Sequence, residues 1–260
     1  MIIIISLLLL GSLLPNLSFT ASVKVSIVNG TEARPHSRPY MVSVQEDGEH
    51  VCGGFLISDQ FVMTAAHCRN DTEILTVVAG IHDLESRKEN HVRIKVNTYN
   101  MHPEYIPDPP DPDSWIPDIA DLMILKLDKK VKLNNKINTI PIPMTPVNIS
   151  VGTNCSVAGW GFVENGGPTS QTLREANVKI MDDTDCARWD EAYVAPKMMC
   201  VYGHGGTCEG DSGGPLVCNN IAVGVTAFSL NNSCNDPDLH NVYTKISAFL
   251  PWIQSILRAN

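Results

Sequence analysis

Positive charge is scarce in this chain: 19 Lys and Arg stand against 28 Asp and Glu, a formal net charge of -9 over 260 residues. That balance argues against a nucleic acid as partner, because phosphate backbones are held by clustered Lys and Arg. Long apolar runs are scarce too. One is present, IIIISLLLLGSLL at residues 2–14, and it stops at Pro15-Asn16. It is too short for a bilayer, which needs about 20 apolar residues, but it suits the apolar region of a secretory signal peptide, although the usual positive flank is missing. A buried N-terminal strand is the competing reading, disfavoured because strands run roughly 3–10 residues. We therefore expect residues 1–20 to be a signal peptide and the mature protein to be secreted, with no membrane association once the signal is removed. Repeats, low-complexity tracts, CxxC pairs and an HExxH motif are all lacking, so a zinc site or a metal-dependent hydrolase has no ligands at the usual spacing. No metal and no cofactor is expected.

What is present reads as globular: 43% hydrophobic and 18% charged residues, with Gly and Pro scattered throughout. Eight cysteines, an even number in an exported chain, point to disulfides, but spacing alone does not choose the pairing. Five Asn-x-Ser/Thr sequons, at Asn29, Asn70, Asn148, Asn154 and Asn231, agree with a secretory route; Asn154, beside Cys155, has the weakest case.

From residue 27 onward, short β-rich runs alternate with turn residues: YMVSVQ, GGFLI, FVMTAA, LTVVAG, VRIKV, LMILKL, NCSVAGWG, LREANVKIM, GPLVC, IAVGVTAF and NVYTKI. This spacing predicts an all-β antiparallel architecture. Only the tail AFLPWIQSILRAN has the periodicity of a helix, with Pro251 acceptable in its first turn. The Pro- and Asp-crowded stretch at 102–121 is a loop.

Three segments carry chemistry. GDSGGP at 210–215 flanks Ser212 with glycines that let a backbone approach substrate, so that the N–H groups of Gly210 and Ser212 face a developing oxyanion. FVMTAAHC places His67 beside Cys68, and DLMILKL puts Asp121 before an apolar strand. Each is ambiguous alone, since an isolated Ser-Gly-Gly is usually a turn and a lone His usually structural. Together they form a set: serine needs a base, imidazole is the base suited to neutral pH, and a carboxylate holds its tautomer.

TAAHC, DLMILKL and GDSGGP, in that order, resemble the His, Asp and Ser motifs of the chymotrypsin and trypsin family, and IVNG at 27–30 resembles the mature amino terminus of its enzymes. The surrounding stretches are most similar to the granzyme and mast-cell protease branch. The resemblance implies two six-stranded antiparallel β-barrels with the active site between them and a C-terminal helix. It implies a domain from 27 to 260 with two barrel subdomains, a short propeptide at 21–26, and catalysis by His67, Asp121 and Ser212. It implies the disulfides Cys52–Cys68, Cys155–Cys218, Cys186–Cys200 and Cys208–Cys234. It further implies a zymogen whose freed Ile27 ammonium pairs with Asp211, although Ser26 rather than a basic residue precedes Ile27. Thr226 stands where the family usually has a serine supporting the aspartate. Gly206, Thr207, Phe228 and Asn241 fall at the primary pocket, and Gly206 at its floor disfavours Lys or Arg substrates. The expected protein is a monomeric secreted serine endopeptidase, with granule storage as one form of export, acting on protein and peptide substrates and open to protein protease inhibitors. The alternative is a catalytically inactive homologue that serves as a binding or antimicrobial protein.

Overall fold

The computed structural model describes residues 27–69, 74–106, 119–164, 166–189, 193–229, 234 and 240–259. The expected signal peptide and propeptide, Asn70, Asn231, Asp118 and residues 107–118 of the Pro/Asp loop lie outside the described residues.

Six strands form the first barrel: β2 (Met41–Glu46), β3 (Glu49–Leu56), β4 (Phe61–Thr64), β5 (Leu75–Ala79), β6 (Val92–Met101) and β7 (Met123–Leu127). They are ordered β2-β3-β4-β7-β6-β5, and β5 closes back on β2. The second barrel follows as β8 (Asn154–Gly159), β9 (Arg174–Ile180), β10 (Met198–Tyr202), β11 (Pro215–Cys218), β12 (Ile221–Ser229) and β13 (Asn241–Lys245). Its order is β8-β9-β10-β13-β12-β11, closed by the β11–β8 pairing. A two-residue strand, β1 (Thr31–Glu32), adds to the start of β9.

Alternation explains the closure. In β6, Ile94 and Val96 are buried while Arg93 and Lys95 are exposed, so one face fills the barrel and the other meets water. The buried cluster centred on barrel one includes fully buried Phe55, Leu56, Val62, Ile124 and Leu125. Barrel two has a separate cluster of Ile27, Val157, Leu216 and Tyr243. The terminal helix α2 (Leu250–Arg258) has Pro251 in its first turn, and it buries Leu250 and Ile253 in a cluster made mostly of barrel-one residues, joined by Val217, Ala222 and Val225 of barrel two. The ring of His102 meets Phe249 and Trp252 edge-on, each at 4.9 Å.

All four implied disulfides are present. Besides the two-residue β1, two elements escape the sequence pattern. Strand β10 reads MMCVY, with methionines in place of β-branched residues. Helix α1 (Asp183–Trp189) corrects the expectation that only the tail is helical. Its start is written locally, since the Asp182 carboxylate accepts the backbone N–H of Thr184 and its carbonyl accepts that of Cys186.

Leu125→Ala removes a side chain with no exposure from the sealed barrel-one interior. It is expected to destabilise the fold by about 2–5 kcal/mol, whereas Met144→Ala, at a site 73% exposed, is expected to change stability by less than about 0.5 kcal/mol. Denaturant midpoints of the two variants, at unchanged slope, check this.

Candidate active site

His67 lies on a single 3-10 turn, Ala66–Cys68, that follows β4. Two ties fix that turn: the Cys68–Cys52 disulfide to β3, and the Thr64 hydroxyl donating to the Gly53 carbonyl at 2.8 Å. Cys52, His67 and Cys68 bring three metal-ligand atoms close together, but the two sulfurs are bonded to each other and offer no thiolate.

Asp121 is buried, two residues ahead of Met123, the first residue of β7. Both carboxylate oxygens are taken by one residue: Oδ1 accepts the His67 backbone N–H at 3.0 Å, and Oδ2 lies 2.7 Å from Nδ1 of its ring. A carboxylate only accepts, so the ring proton sits on Nδ1 and Nε2 keeps its lone pair. The ring is about one-third exposed. The Asp121 carbonyl in turn accepts the Thr244 hydroxyl of β13 at 3.0 Å, which ties the site to the second barrel. Thr226 does not support this carboxylate. Its hydroxyl donates to the Gly214 carbonyl at 3.0 Å, because the β11–β12 pairing brings that carbonyl to it.

Ser212 is half-buried on a loop whose shape is set by main-chain bonds. Its carbonyl accepts Gly53 N–H at 2.8 Å, so the serine is anchored to the strand that carries Cys52. Gly213 N–H bonds to Thr226 and Gly214 N–H to Asp211. Gly210 and Gly213 have φ of 87° and 79°, in the left-handed region, and a Cβ on Gly213 would strike the Thr64 hydroxyl. Among the described residues the N–H groups of Gly210 and Ser212 have no hydrogen-bond partner, which leaves two donors for an incoming oxygen.

His50, which the sequence did not mark, turns the Gly210 peptide. Gln45 donates to the Ser43 oxygen at 3.0 Å, Ser43 donates to His50 Nδ1 at 2.8 Å, and His50 Nε2 donates to the Gly210 carbonyl at 2.9 Å. Burial pushes the His50 pKa down to about 4, against a smaller upward pull from that carbonyl. The only sequence signal for it was its place in GEHVCGG.

Asp211 is fully buried. Its carboxylate accepts the N–H groups of Gly161 at 2.8 Å and Cys208 at 2.9 Å, and no ion pair among the described residues reaches it. Burial raises its pKa to about 7, opposed by those two donors. A Cβ on Gly159 or Gly161 would collide with the carboxyl group, so both glycines of the GWG triplet make room for it. Ile27, with no exposure, belongs to the same barrel, and Val28 bridges to Gly206.

A cavity of about 170 Å³ opens beside Ser212, lined by Thr207, Phe228, Thr226, Ala227 and, at an exposed position, Glu209. Of the four expected pocket residues, Thr207 and Phe228 line this cavity. Gly206 and Asn241 instead border a void of about 20 Å³ next to it. Asn241 is buried, and its amide closes on the Thr207 backbone, accepting its N–H and donating to its carbonyl, each at 3.0 Å. The amide fills the space above Gly206 where a side chain would project. Glu209 was missed because its place at the cavity mouth depends on the loop fold.

The family model described as Trypsin matches residues 27–253. The chain is 35% identical to human cathepsin G over 97% of its own length and 94% of that protein's, and 36% identical to chymase from Cavia porcellus over 94% and 96%. It is 38% identical to mouse granzyme F over 87% of this chain and 89% of that one. Among solved structures it resembles mouse neuropsin, a serine protease, with TM-score 0.79 and 30% identity over 88% of this chain and 99% of that one. It also resembles human heparin binding protein, with TM-score 0.77 and 33% identity over 90% and 97%.

Two outcomes follow from this geometry. Because the folded pKa of His50 lies below the unfolded value of about 6.5, the stability held by its neutral ring is complete above that pH and is lost as pH falls towards about 4. His50→Gln should therefore flatten the acid limb of unfolding free energy against pH in that window. Gly206→Asp should lower the melting temperature, through collision with the Asn241 amide, and give no gain in cleavage after Lys or Arg on a peptide library.

Proposed function

The chain belongs to the trypsin family, with relatives in the granzyme and mast-cell protease branch, and on that premise we propose that it is a secreted serine endopeptidase working through an acyl-enzyme. The observation that carries the reading is His67 held by both oxygens of one buried carboxylate, one on its backbone N–H and one on ring Nδ1, together with a serine loop, anchored on the strand of Cys52, whose Gly210 and Ser212 N–H groups are unengaged among the described residues. In this reading the Ser212 hydroxyl attacks the scissile carbonyl carbon while His67 Nε2 takes its proton. The carbonyl oxygen, now anionic, is held by Gly210 and Ser212 N–H. The imidazolium returns the proton to the departing amine, leaving an acyl ester on Ser212. Water, deprotonated by the same ring, then hydrolyses that ester and restores the serine.

The cavity walled by Thr207, Thr226, Ala227 and Phe228 suits an uncharged side chain, and the Glu209 carboxylate, exposed at its edge, favours a basic group at a neighbouring substrate position. The alternative of an inactive binding homologue loses support because His67, Asp121, Ser212 and the two N–H donors are all retained.

Asp211 supports a zymogen. In a chain still joined at Ser26, its carboxylate has backbone donors but no counter-charge, and its raised pKa records the penalty. Cleavage before Ile27, after removal of the leader, frees an ammonium within barrel two. A buried pair of this kind loses about 3–5 kcal/mol when one partner is taken away, enough to switch the serine loop. Among the described residues no helix is long and apolar enough to cross a membrane.

Peptide hydrolysis should appear on cleavage at Ile27, and Ser212→Ala should reduce kcat/KM by roughly 10⁴-fold or more. Equal activity in the alanine variant would falsify the mechanism. For the switch, Ser212→Ala protein avoids self-digestion. A raised carboxyl pKa means that folded-state stability, intact below about 3.8, is lost as pH climbs to about 7 in the uncut chain. The cut form should therefore be the more stable one at pH 8, by a margin that shrinks towards pH 4 and is absent in Asp211→Asn.

A further inference from the structure

The largest cavity of the molecule among those described, about 870 Å³, shares no lining residue with the one at Ser212. It is a groove on barrel two lined by Val151, Asn154, Met181, Asp182, Tyr202 and His204, among others. A second cavity of about 200 Å³ adjoins it through Val151, Met181 and Asp182, and is bordered by Asn148. The groove leaves apolar surface in water: Val151 is 60% exposed and Tyr202 43%. Val151 and Tyr202 thus give the groove an apolar part that another apolar surface can cover.

Two sequons flank it. Asn148 begins Asn-Ile-Ser and Asn154 begins Asn-Cys-Ser, on either side of a turn at Gly152 (φ 78°) that is pinned to β9 by Gly152 N–H to Ile180 at 2.8 Å and Ile180 N–H to Thr153 at 3.1 Å. Both asparagines are exposed, and neither side-chain amide is hydrogen-bonded among the described residues. Asn29 differs: its amide donates to the His204 carbonyl at 2.7 Å, inside the docked amino-terminal segment.

We infer that Asn148 and Asn154 carry N-linked glycans whose core sugars lie in this groove and cover its apolar floor. The chemistry of the lining fits a sugar. A pyranose offers an apolar C–H face and a rim of hydroxyls; the Tyr202 ring receives the first, while the carboxylates of Asp182 and Asp185 and the imidazoles of His204 and His240 engage the second. A covalent tether at the groove edge makes the sugar effectively concentrated there. In the modification, the asparagine amide nitrogen bonds to the anomeric carbon of a lipid-diphosphate-linked oligosaccharide. The bond from that carbon to the diphosphate breaks, the lipid diphosphate leaves, and the amide proton is released. Asn154 itself lines the groove, unlike a sequon on open surface. The weak case that the neighbouring cysteine gives Asn154 in the sequence is thereby outweighed by its position.

The inference rests on export of the chain, so the test separates the two. The full chain is expressed in a eukaryotic secretory host, and the medium protein is sequenced from its amino terminus and treated with peptide N-glycosidase in oxygen-18 water. Labelled aspartate at 148 and 154 is expected, lost singly in Asn148→Gln and Asn154→Gln. Hydrogen exchange over residues 198–204 should quicken by about threefold or more on native deglycosylation, and Tyr202→Ser should abolish that difference while peptide hydrolysis is unchanged. A chain retained in the cell with its leader intact overturns the export reading. A correctly processed secreted chain unmodified at either asparagine, or exchange indifferent to the sugars, overturns this inference alone and leaves the groove to a protein partner.

Discussion

A carboxylate sealed inside barrel two is the constraint around which the rest of the site is arranged. Asp211 has no exposure and takes N–H groups from Gly161 and Cys208, so the loop before Ser212 and the GWG segment after β8 are both bent towards it. Two glycines are obligatory beside it because a Cβ would occupy its volume. With the carboxylate inside, the Gly210 peptide turns outwards, and the Gln45–Ser43–His50 chain of barrel one holds its carbonyl in that orientation. The orientation of the Gly210 peptide is thus a product of contacts from both barrels.

The same division of labour governs the His67–Asp121 pair. His67 and Asp121 both come from barrel one, while Thr244 of barrel two steadies the aspartate main chain, and the Ser212 carbonyl is anchored on Gly53 of barrel one. Each barrel therefore fixes a part of the other's chemistry. A displacement of one barrel against the other therefore strains several of these bonds together.

Much of this was legible in the sequence where the signal is local. Strand alternation gave eleven of the thirteen strands, and the triad motifs sit on short segments whose neighbours dictate the backbone: glycines around Ser212, a cysteine beside His67, an apolar strand after Asp121. What stayed hidden depends on distant partners. His50 acts on a peptide 160 residues away. Thr226 has a hydroxyl, as expected, but the register of β11 and β12 directs it to Gly214. Asn241 looked like a pocket wall and is instead a brace on Thr207, because its amide finds a complete pair of backbone partners there. Strand β10 and helix α1 were missed for opposite reasons: methionine weakens the strand signal, whereas Asp182 and its acidic first turn were a cap signal left unread.

The terminal helix has a consequence for how the molecule is born. Because α2 buries Leu250 and Ile253 against the barrel made first, the hydrophobic cluster of that barrel remains open until the segment made after both barrels arrives. Assembly on the ribosome thus stops short of a finished cleft, and the last step of construction is a long-range docking event.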